Sequence, residues 1–253
     1  MTLDQPLAQR PDAGYVFETS WPLASGDIDQ FERLSVDGVA RYLQEAGAQH
    51  LVHAEAFDAH PFWIVRRTVM DVHQPIAWPD KIHLARWCSG ISPRWCNMRV
   101  RVTSEGGGLI ETEGFWINMN METKGPSRME DHFFDRLATT TDEHRLRWRP
   151  WLTEPVNAVH EQPFALRRSD TDRLDHVNNS IYLQAMREVF PQVSDLVDGP
   201  FRLVIEYNKP ITFGEDVRIA TAPEQSADGR DGLRFWMTVD GDPRTHAILT
   251  TIP

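Results

Sequence analysis

Residues 33–45 read RLSVDGVARYLQE and residues 173–185 read RLDHVNNSIYLQA, with RL and YLQ matching at a constant offset of 182 − 42 = 140. Further on, VMDVHQPIAWPDKIHL (69–84) aligns with VIEYNKPITFGEDVRI (204–219), where Pro75-Ile76 meets Pro210-Ile211 at an offset of 135. Two matches in the same order at nearly the same spacing mark an internal repeat. At about 150 residues per domain, a chain of 253 residues allows one large domain or two modest ones. The repeat selects two related units, each of which must be a supersecondary structure able to pack against a near-copy of itself.

The first unit reads β-α-β-β-β-β. Tyr15 to Pro22 forms a strand, and Ser35 caps a helix in which Val36, Val39, Ala40, Leu43, Gly47 and Leu51 recur at helical spacing up to about Ala54. Phe62 to Val72, Ile82 to Trp87, Cys96 to Thr103 and Leu109 to Met119 are rich in β-branched and aromatic residues and are separated by turn residues. The second unit repeats the order: a strand at Pro163 to Arg168, a helix from about Asn179 to Phe190, and strands near Phe201 to Asn208, Asp216 to Thr221, Leu233 to Val239 and Thr245 to Ile252. Short turns between successive strands make the sheet largely antiparallel, with each helix burying its apolar side against it. This is an α+β fold class. The expected organisation is an N-terminal tail (1–14), a first unit (15–124), a connector with a short helix around Glu130 to Leu137 (125–162), and a second unit (163–253).

Hydrophobic residues at 41% and charged residues at 25% support a substantial core and exclude a collagen, a coiled coil or a disordered tail. No apolar stretch approaches the roughly 20 residues of a membrane span, and Met1 to Arg10 lacks the basic flank of a leader, so a cytoplasmic protein is expected. A net charge of −11 argues against sequence-independent nucleic-acid binding. Two cysteines, Cys88 and Cys96, are too few for a disulfide scaffold or a structural zinc site, and reduced buried thiols are the expectation.

The most informative segment is RRSDTDRLDHVNNSIYLQAMRE, residues 167–188. A polar loop carrying Asp170, Asp172, Asp175 and His176 runs into a helix near Asn178 or Asn179. Free N–H groups at such a helix start can polarise a carbonyl oxygen, and a carboxylate in the same loop can activate water or attack a carbon. That combination suits acyl transfer or hydrolysis; the same Asp and Asn residues also serve as ordinary caps and turn formers.

A β-α-β-β-β-β unit with D-x-D-x-x-x-H-V-N-N-x-x-Y at its helix start, here Asp170, Asp172, His176, Val177, Asn178, Asn179 and Tyr182, resembles the hotdog fold of thioesterases. Two units in one chain, a tandem (double) hotdog, resemble the acyl-ACP thioesterases, supported by ARYLQEAGAQHL (40–51), FWIVRRTVMDVHQPIAWPDKI (62–82) and GFWINMNMETKGPSRM (114–129). The resemblance implies hydrolysis of the thioester between a fatty acid and acyl carrier protein in fatty acid biosynthesis, with no metal or organic cofactor. It also implies that catalytic groups come from the second unit while the first shapes the acyl pocket, and it places the family's loop Asp on Asp172 and its His on His176.

The sequence departs from the family at three places: the Asn two residues before the His is Leu174, and the Glu-Cys pair after the E-Y motif falls on Pro210 and Ile211. No Cys-His pair can be drawn there. The mechanism that remains has Asp172 activating water or attacking the thioester, with N–H groups at the helix start holding the oxyanion. His176 orients Asp172 or the substrate, or packs loop against helix; Asn178 and Asn179 support the oxyanion site or the loop. Alternatives are an acyl-CoA thioesterase, a hydratase and a non-catalytic acyl or acyl-carrier binding protein.

The acyl pocket is expected between helix and sheet of the first unit, lined by Val39, Leu43, Trp63, Val65 and Trp116. An acidic carrier protein needs a local Arg cluster to dock on. Arg66, Arg67, Arg167 and Arg168 are the candidates, with Arg94, Arg99 and the run Arg145 to Arg149 behind them. Two fused units can supply both sides of a site, so a monomer suffices, with a homodimer as the alternative.

Overall fold

The structure, a computed structural model, describes residues 3–225, 228–229 and 231–253. Its first unit comprises β1 (Phe17–Pro22), α1 (Val36–His53), β2 (Trp63–Gln74), β3 (Lys81–Ser92), β4 (Trp95–Ser104) and β5 (Leu109–Asn118). The connector contributes α2 (Asp131–Ala138). The second unit comprises β6 (His160–Pro163), α3 (Asn179–Arg187), a short α4 (Ser194–Val197), β7 (Phe201–Tyr207), β8 (Val217–Gln225), β9 (Asp231–Val239) and β10 (Asp242–Thr250). All ten strands form one sheet in the order β1-β3-β4-β5-β2-β7-β10-β9-β8-β6. The second five mirror the first five, which is the tandem hotdog arrangement with one helix embraced by each half.

The seam is the β2–β7 pair, antiparallel, in which Val69 lies opposite Val204. Their separation, 204 − 69 = 135, is also the repeat offset of the strands, so the pseudo-twofold axis passes through this pair. The same symmetry relates two buried ion pairs: Arg67 to Glu206 at 2.9 Å, and Arg202 to Asp71 at 2.6 Å. Each is covered from outside. The connector lays Trp151 over Arg67, with the Trp151 ring 3.5 Å from the guanidinium, and its Arg149 carbonyl accepts from Arg67 at 3.0 Å. The N-terminal segment, expected as a tail, instead straps the seam: Leu7 is buried, and the carbonyls of Leu3 and Gln5 accept from Arg202 Nη1 at 2.7 Å each.

Helix α1 begins where expected, the Gly38 N–H donating to Ser35 Oγ at 3.1 Å. Gly38 is required there, because a Cβ would sit 2.5 Å from the Asp27 carbonyl. In the second unit the expected strand at Pro163 to Arg168 is displaced: β6 ends at Pro163, and Arg168–Asp170 form a 3-10 turn. Helix α3 ends at Arg187 rather than Phe190, since Pro191 cannot continue it and Phe190–Val193 tighten to 3-10. Cys88 and Cys96 are free and buried, facing Met98 and Ile91 across the β3–β4 pair rather than each other. No helix among the described residues is long and apolar enough to cross a membrane.

Candidate functional site

The loops that lead into α1 and α3 have the same backbone. Asp29 N–H donates to the Arg33 carbonyl at 2.8 Å, and Asp172 N–H to the His176 carbonyl at 2.7 Å. Ser35 N–H reaches the Asp27 carbonyl at 2.9 Å, and Asn178 N–H the Asp170 carbonyl at 2.8 Å. Leu34 N–H reaches Ile76 O, and Val177 N–H reaches Ile211 O, both at 2.8 Å. Glu32 and Asp175 are both left-handed, with φ of +57° and +59°. The true offset of this segment is therefore 179 − 36 = 143, three residues more than the matching letters RL and YLQ suggest. Arg33 corresponds to His176, and Asp29 to Asp172.

That correspondence exposes a chemical difference. Asp29 Oδ1 accepts from Phe31 N–H and Arg33 N–H, both at 2.9 Å, and Asp29 Oδ2 accepts from Arg33 Nε at 3.0 Å. Asp172 keeps the equivalent turn bond, from Leu174 N–H to Oδ1 at 2.8 Å, but no cation clamps it among the described residues. His176 and Asp172 are joined through backbone, and no side-chain hydrogen bond links them. Ile211, where the family places Cys, is buried, its N–H donating to Tyr182 Oη at 3.2 Å.

Asn178 caps α3, its Oδ1 accepting from Ser180 N–H at 2.9 Å. Its amide also pairs with Gln44 of α1, with Gln44 Nε2 donating to Asn178 Oδ1 at 3.0 Å and Asn178 Nδ2 donating to Gln44 Oε1 at 3.3 Å. The N–H of Asn179, first in the helix, has no acceptor among the described residues and is available to an oxyanion.

Beside it opens a cleft of about 210 Å³, lined by Gln44, Gly47, Ala48 and Leu51 of α1, by Trp63, Arg86, Cys96, Met98 and Trp116 of the sheet, by Phe133 and Leu137 of α2, and by Arg173, Asn178 and Asn179. Of the expected pocket residues, Trp63 and Trp116 line it. Val39, Leu43 and Val65 do not: they belong to the packed core on the neighbouring stripe of α1 and the adjoining sheet. Asp172 and His176 stand in the loop whose Arg173 and Asn178 reach the cleft, without lining it themselves. Arg173, Arg86 and Gln44 were not anticipated from sequence. Arg173 ties the loop to the start of β2, donating to the Pro61 carbonyl at 2.6 Å.

A second cleft, of about 310 Å³, is the pseudo-symmetric counterpart, formed by the Asp29–Arg33 loop against Arg187, Phe190 and Pro191. Arg187, Phe190 and Pro191 are the equivalents, 143 residues on, of Gln44, Gly47 and Ala48, so the two helix walls differ in chemistry.

The docking candidates divide. Arg67 is buried in the seam and cannot form part of a docking surface, whereas Arg66 is half-buried, its guanidinium 5.0 Å from the Trp148 ring. Arg167 and Arg168 are both exposed, because they sit in a turn and not on alternate faces of a strand. Arg99 is fully buried against Glu111, whereas Arg94, Arg145, Arg147 and Arg149 are exposed.

Models of the acyl-ACP thioesterase N-terminal and C-terminal domains match residues 14–137 and 153–249. The chain belongs to the acyl-ACP thioesterase family. A protein of Mycobacterium tuberculosis described only as uncharacterised is 47% identical over 247 residues, 98% of this chain and 96% of that one. The chloroplastic oleoyl-acyl carrier protein thioesterase 1 of Arabidopsis thaliana is 24% identical over 221 residues, 76% of this chain and 59% of that protein. Among solved structures, an acyl-ACP thioesterase from Bacteroides thetaiotaomicron superposes with a TM-score of 0.73 at 13% identity, covering 92% of this chain and 96% of that one. The 12:0-ACP thioesterase from Umbellularia californica gives 0.70 at 19%, covering 94% and 97%. These likenesses extend over both halves, as the tandem acyl-ACP thioesterase fold requires.

Proposed function

We propose that this acyl-ACP thioesterase family member hydrolyses the thioester of an acyl chain on acyl carrier protein, with Asp172 as the reacting carboxylate. The observation that carries the reading is the contrast between Asp172, which no cation clamps, and its equivalent Asp29, which Arg33 holds on both oxygens. In this mechanism Asp172 takes a proton from water as the water oxygen attacks the thioester carbonyl. The Asn179 N–H holds the resulting oxyanion, and collapse breaks the C–S bond while the proton passes to the departing thiolate. Direct attack by Asp172 would place an acyl anhydride on its carboxyl first; single turnover in ¹⁸O-water, which labels Asp172 only on that route, separates the two. Arg167 and Arg168, exposed beside the loop, supply the local positive charge for an acidic carrier protein.

Thiol release from a panel of acyl-ACP and acyl-CoA thioesters tests the proposal. Asp172→Asn is expected to lose at least about 100-fold in kcat/KM. Hydrolysis unchanged in the variant removes Asp172 from the mechanism. No hydrolysis of any substrate by the wild type favours a non-catalytic acyl-binding role.

A further inference from the structure

Strand β3 alternates its side chains, so Ile82, Leu84, Arg86 and Cys88 share the face that looks onto α1. Ile82, Leu84 and Cys88 are buried in the apolar core, and an arginine stands in the middle of their row. Its guanidinium reaches α1 between two turns: a Cβ on Gly47 would touch Nη2 at 4.0 Å, and Nη1 bonds to His50 Nδ1. Elsewhere in the first unit Arg41 is neutralised by Asp27 and Asp37, Arg67 by Glu206, and Arg99 and Arg101 by Glu111. Among the described residues Arg86 has no carboxylate partner. Its polar neighbours are His50, Tyr15, Cys88 and Cys96. None of these supplies an anion: burial pushes Cys88 up to about 12 and raises Tyr15 and Cys96, while burial and the Arg86 charge push His50 down to about 2, so it stays neutral.

Arg86 is half-buried, and leaving a cation without a partner carboxylate beside Leu51, Trp63, Met98, Trp116 and Phe133 carries a desolvation cost. The fold does not require it, because the equivalent position in the second unit, 86 + 135 = 221, is Thr221, which donates to Gln192 at 3.2 Å. The cation belongs to one cleft and faces into it. We infer that Arg86 is a specificity-determining residue that receives a carboxylate carried by the acyl chain itself, so that the preferred substrate is the half-thioester of a short dicarboxylic acid. This rests on the hydrolytic reading above, and it names the substrate class of that site. A monoanionic carboxylate matches the guanidinium fork of Arg86, beside which the cleft is walled by Leu51, Trp63, Met98, Trp116 and Phe133, while the other polar lining residues, Gln44, Arg173, Asn178 and Asn179, belong to the loop end where the thioester would lie. Length follows from the helix. Gln44 marks the loop end of the cleft, and Gly47 and His50 lie three and six residues further along α1, roughly 5–9 Å at 1.5 Å per residue, which is the reach between thioester carbonyl and distal carboxylate.

The test compares adipoyl and suberoyl thioesters with hexanoyl and octanoyl thioesters of equal length, in the wild type, Arg86→Met and Arg86→Lys. The wild type is expected to favour a dicarboxylic half-thioester at least about tenfold in kcat/KM. Arg86→Met should erase or invert that ratio and Arg86→Lys should restore part of it. A wild-type preference for the alkyl thioesters, or equal losses on both kinds in Arg86→Met, overturns the inference. Quenching of Trp63 and Trp116 fluorescence by free adipate or suberate, against hexanoate or octanoate, reads the same preference without turnover. A protein that hydrolyses nothing but binds the dicarboxylates through Arg86 keeps this inference and loses the hydrolytic one, whereas hydrolysis with no dicarboxylate preference does the reverse. Melting curves of the two variants separate misfolding from lost recognition, and the wild-type ratio stands independently of either variant.

Discussion

The two units agree most closely at their seam and differ most at the loops that start their helices. At the seam, Arg67–Glu206 and Arg202–Asp71 are related by the pseudo-twofold and both are buried. At the loops the backbone hydrogen bonds of Asp29, Leu34 and Ser35 recur at Asp172, Val177 and Asn178, yet Arg33 stands where His176 does, and only one of the two carboxylates is clamped. Pairing of the units constrains both halves equally, because each supplies one strand of the same ladder. Chemistry constrains only one loop, and the other is free to acquire an ion pair that closes it. The clefts differ in their helix wall: Gln44, Gly47 and Ala48 form it on one side, and Arg187, Phe190 and Pro191 form it on the other.

The seam gives the largest expected effect. Asp71 is held by Arg202 on both oxygens, at 2.6 and 2.7 Å, whereas Glu206 accepts from Arg67 and also from the Trp151 and Leu152 N–H groups at 2.9 and 3.3 Å. Arg202→Met leaves a buried carboxylate without its partner, a change that costs about 3–5 kcal/mol. Arg67→Met leaves Glu206 two donors and should cost clearly less. Urea unfolding of the two variants measures the difference; equal destabilisation would mean that the backbone donors to Glu206 contribute nothing.

A smaller effect, in rate and not in stability, is expected from exchanging the loop residues. His176→Arg imports the clamp of the first unit onto Asp172 and should lower thiol release by roughly 10- to 100-fold, by holding the carboxylate ionised and occupied. Arg33→His frees Asp29 but leaves turnover unchanged, because the wall beside it carries Arg187, Phe190 and Pro191 in place of Gln44, Gly47 and Ala48. If Arg33→His instead adds a second activity, the asymmetry of the clefts is not what silences the first loop.

Much of this was legible in the sequence, and the failures have physical causes. The repeat, the element order and the cap at Ser35 follow from local periodicity and cap chemistry. The loop register did not, because identical letters at 33–34 and 173–174 are less binding than the carbonyls of Asp27 and Asp170 that receive the Ser35 and Asn178 N–H groups. Apolar spacing showed that Val39, Leu43 and Val65 are interior but could not tell core from cleft wall, which depends on the other unit's loop. Arg67 looked like a surface cation because its partner, Glu206, lies 206 − 67 = 139 residues away across the seam. Arg86 was within reach: strand alternation alone sets it in the row of Ile82, Leu84 and Cys88.

The caps give the smallest and most discriminating comparison. Ser35 and Asn178 occupy equivalent positions, and each side-chain oxygen accepts from a first-turn N–H, Gly38 at 3.1 Å and Ser180 at 2.9 Å. Replacing either by Ala should cost about 1 kcal/mol in thermal or urea unfolding. Only Asn178 also holds Gln44 of the opposite helix and borders the cleft, so only Asn178→Ala should slow thiol release, through a loosened Asn179 N–H. Gln44→Ala should reproduce part of that rate loss while leaving the cap bond to Ser180 in place. Equal stability losses with unequal rates would assign the oxyanion site to the start of α3. Equal rates would remove the helix start from the chemistry and leave the comparison resting on Asp172 alone.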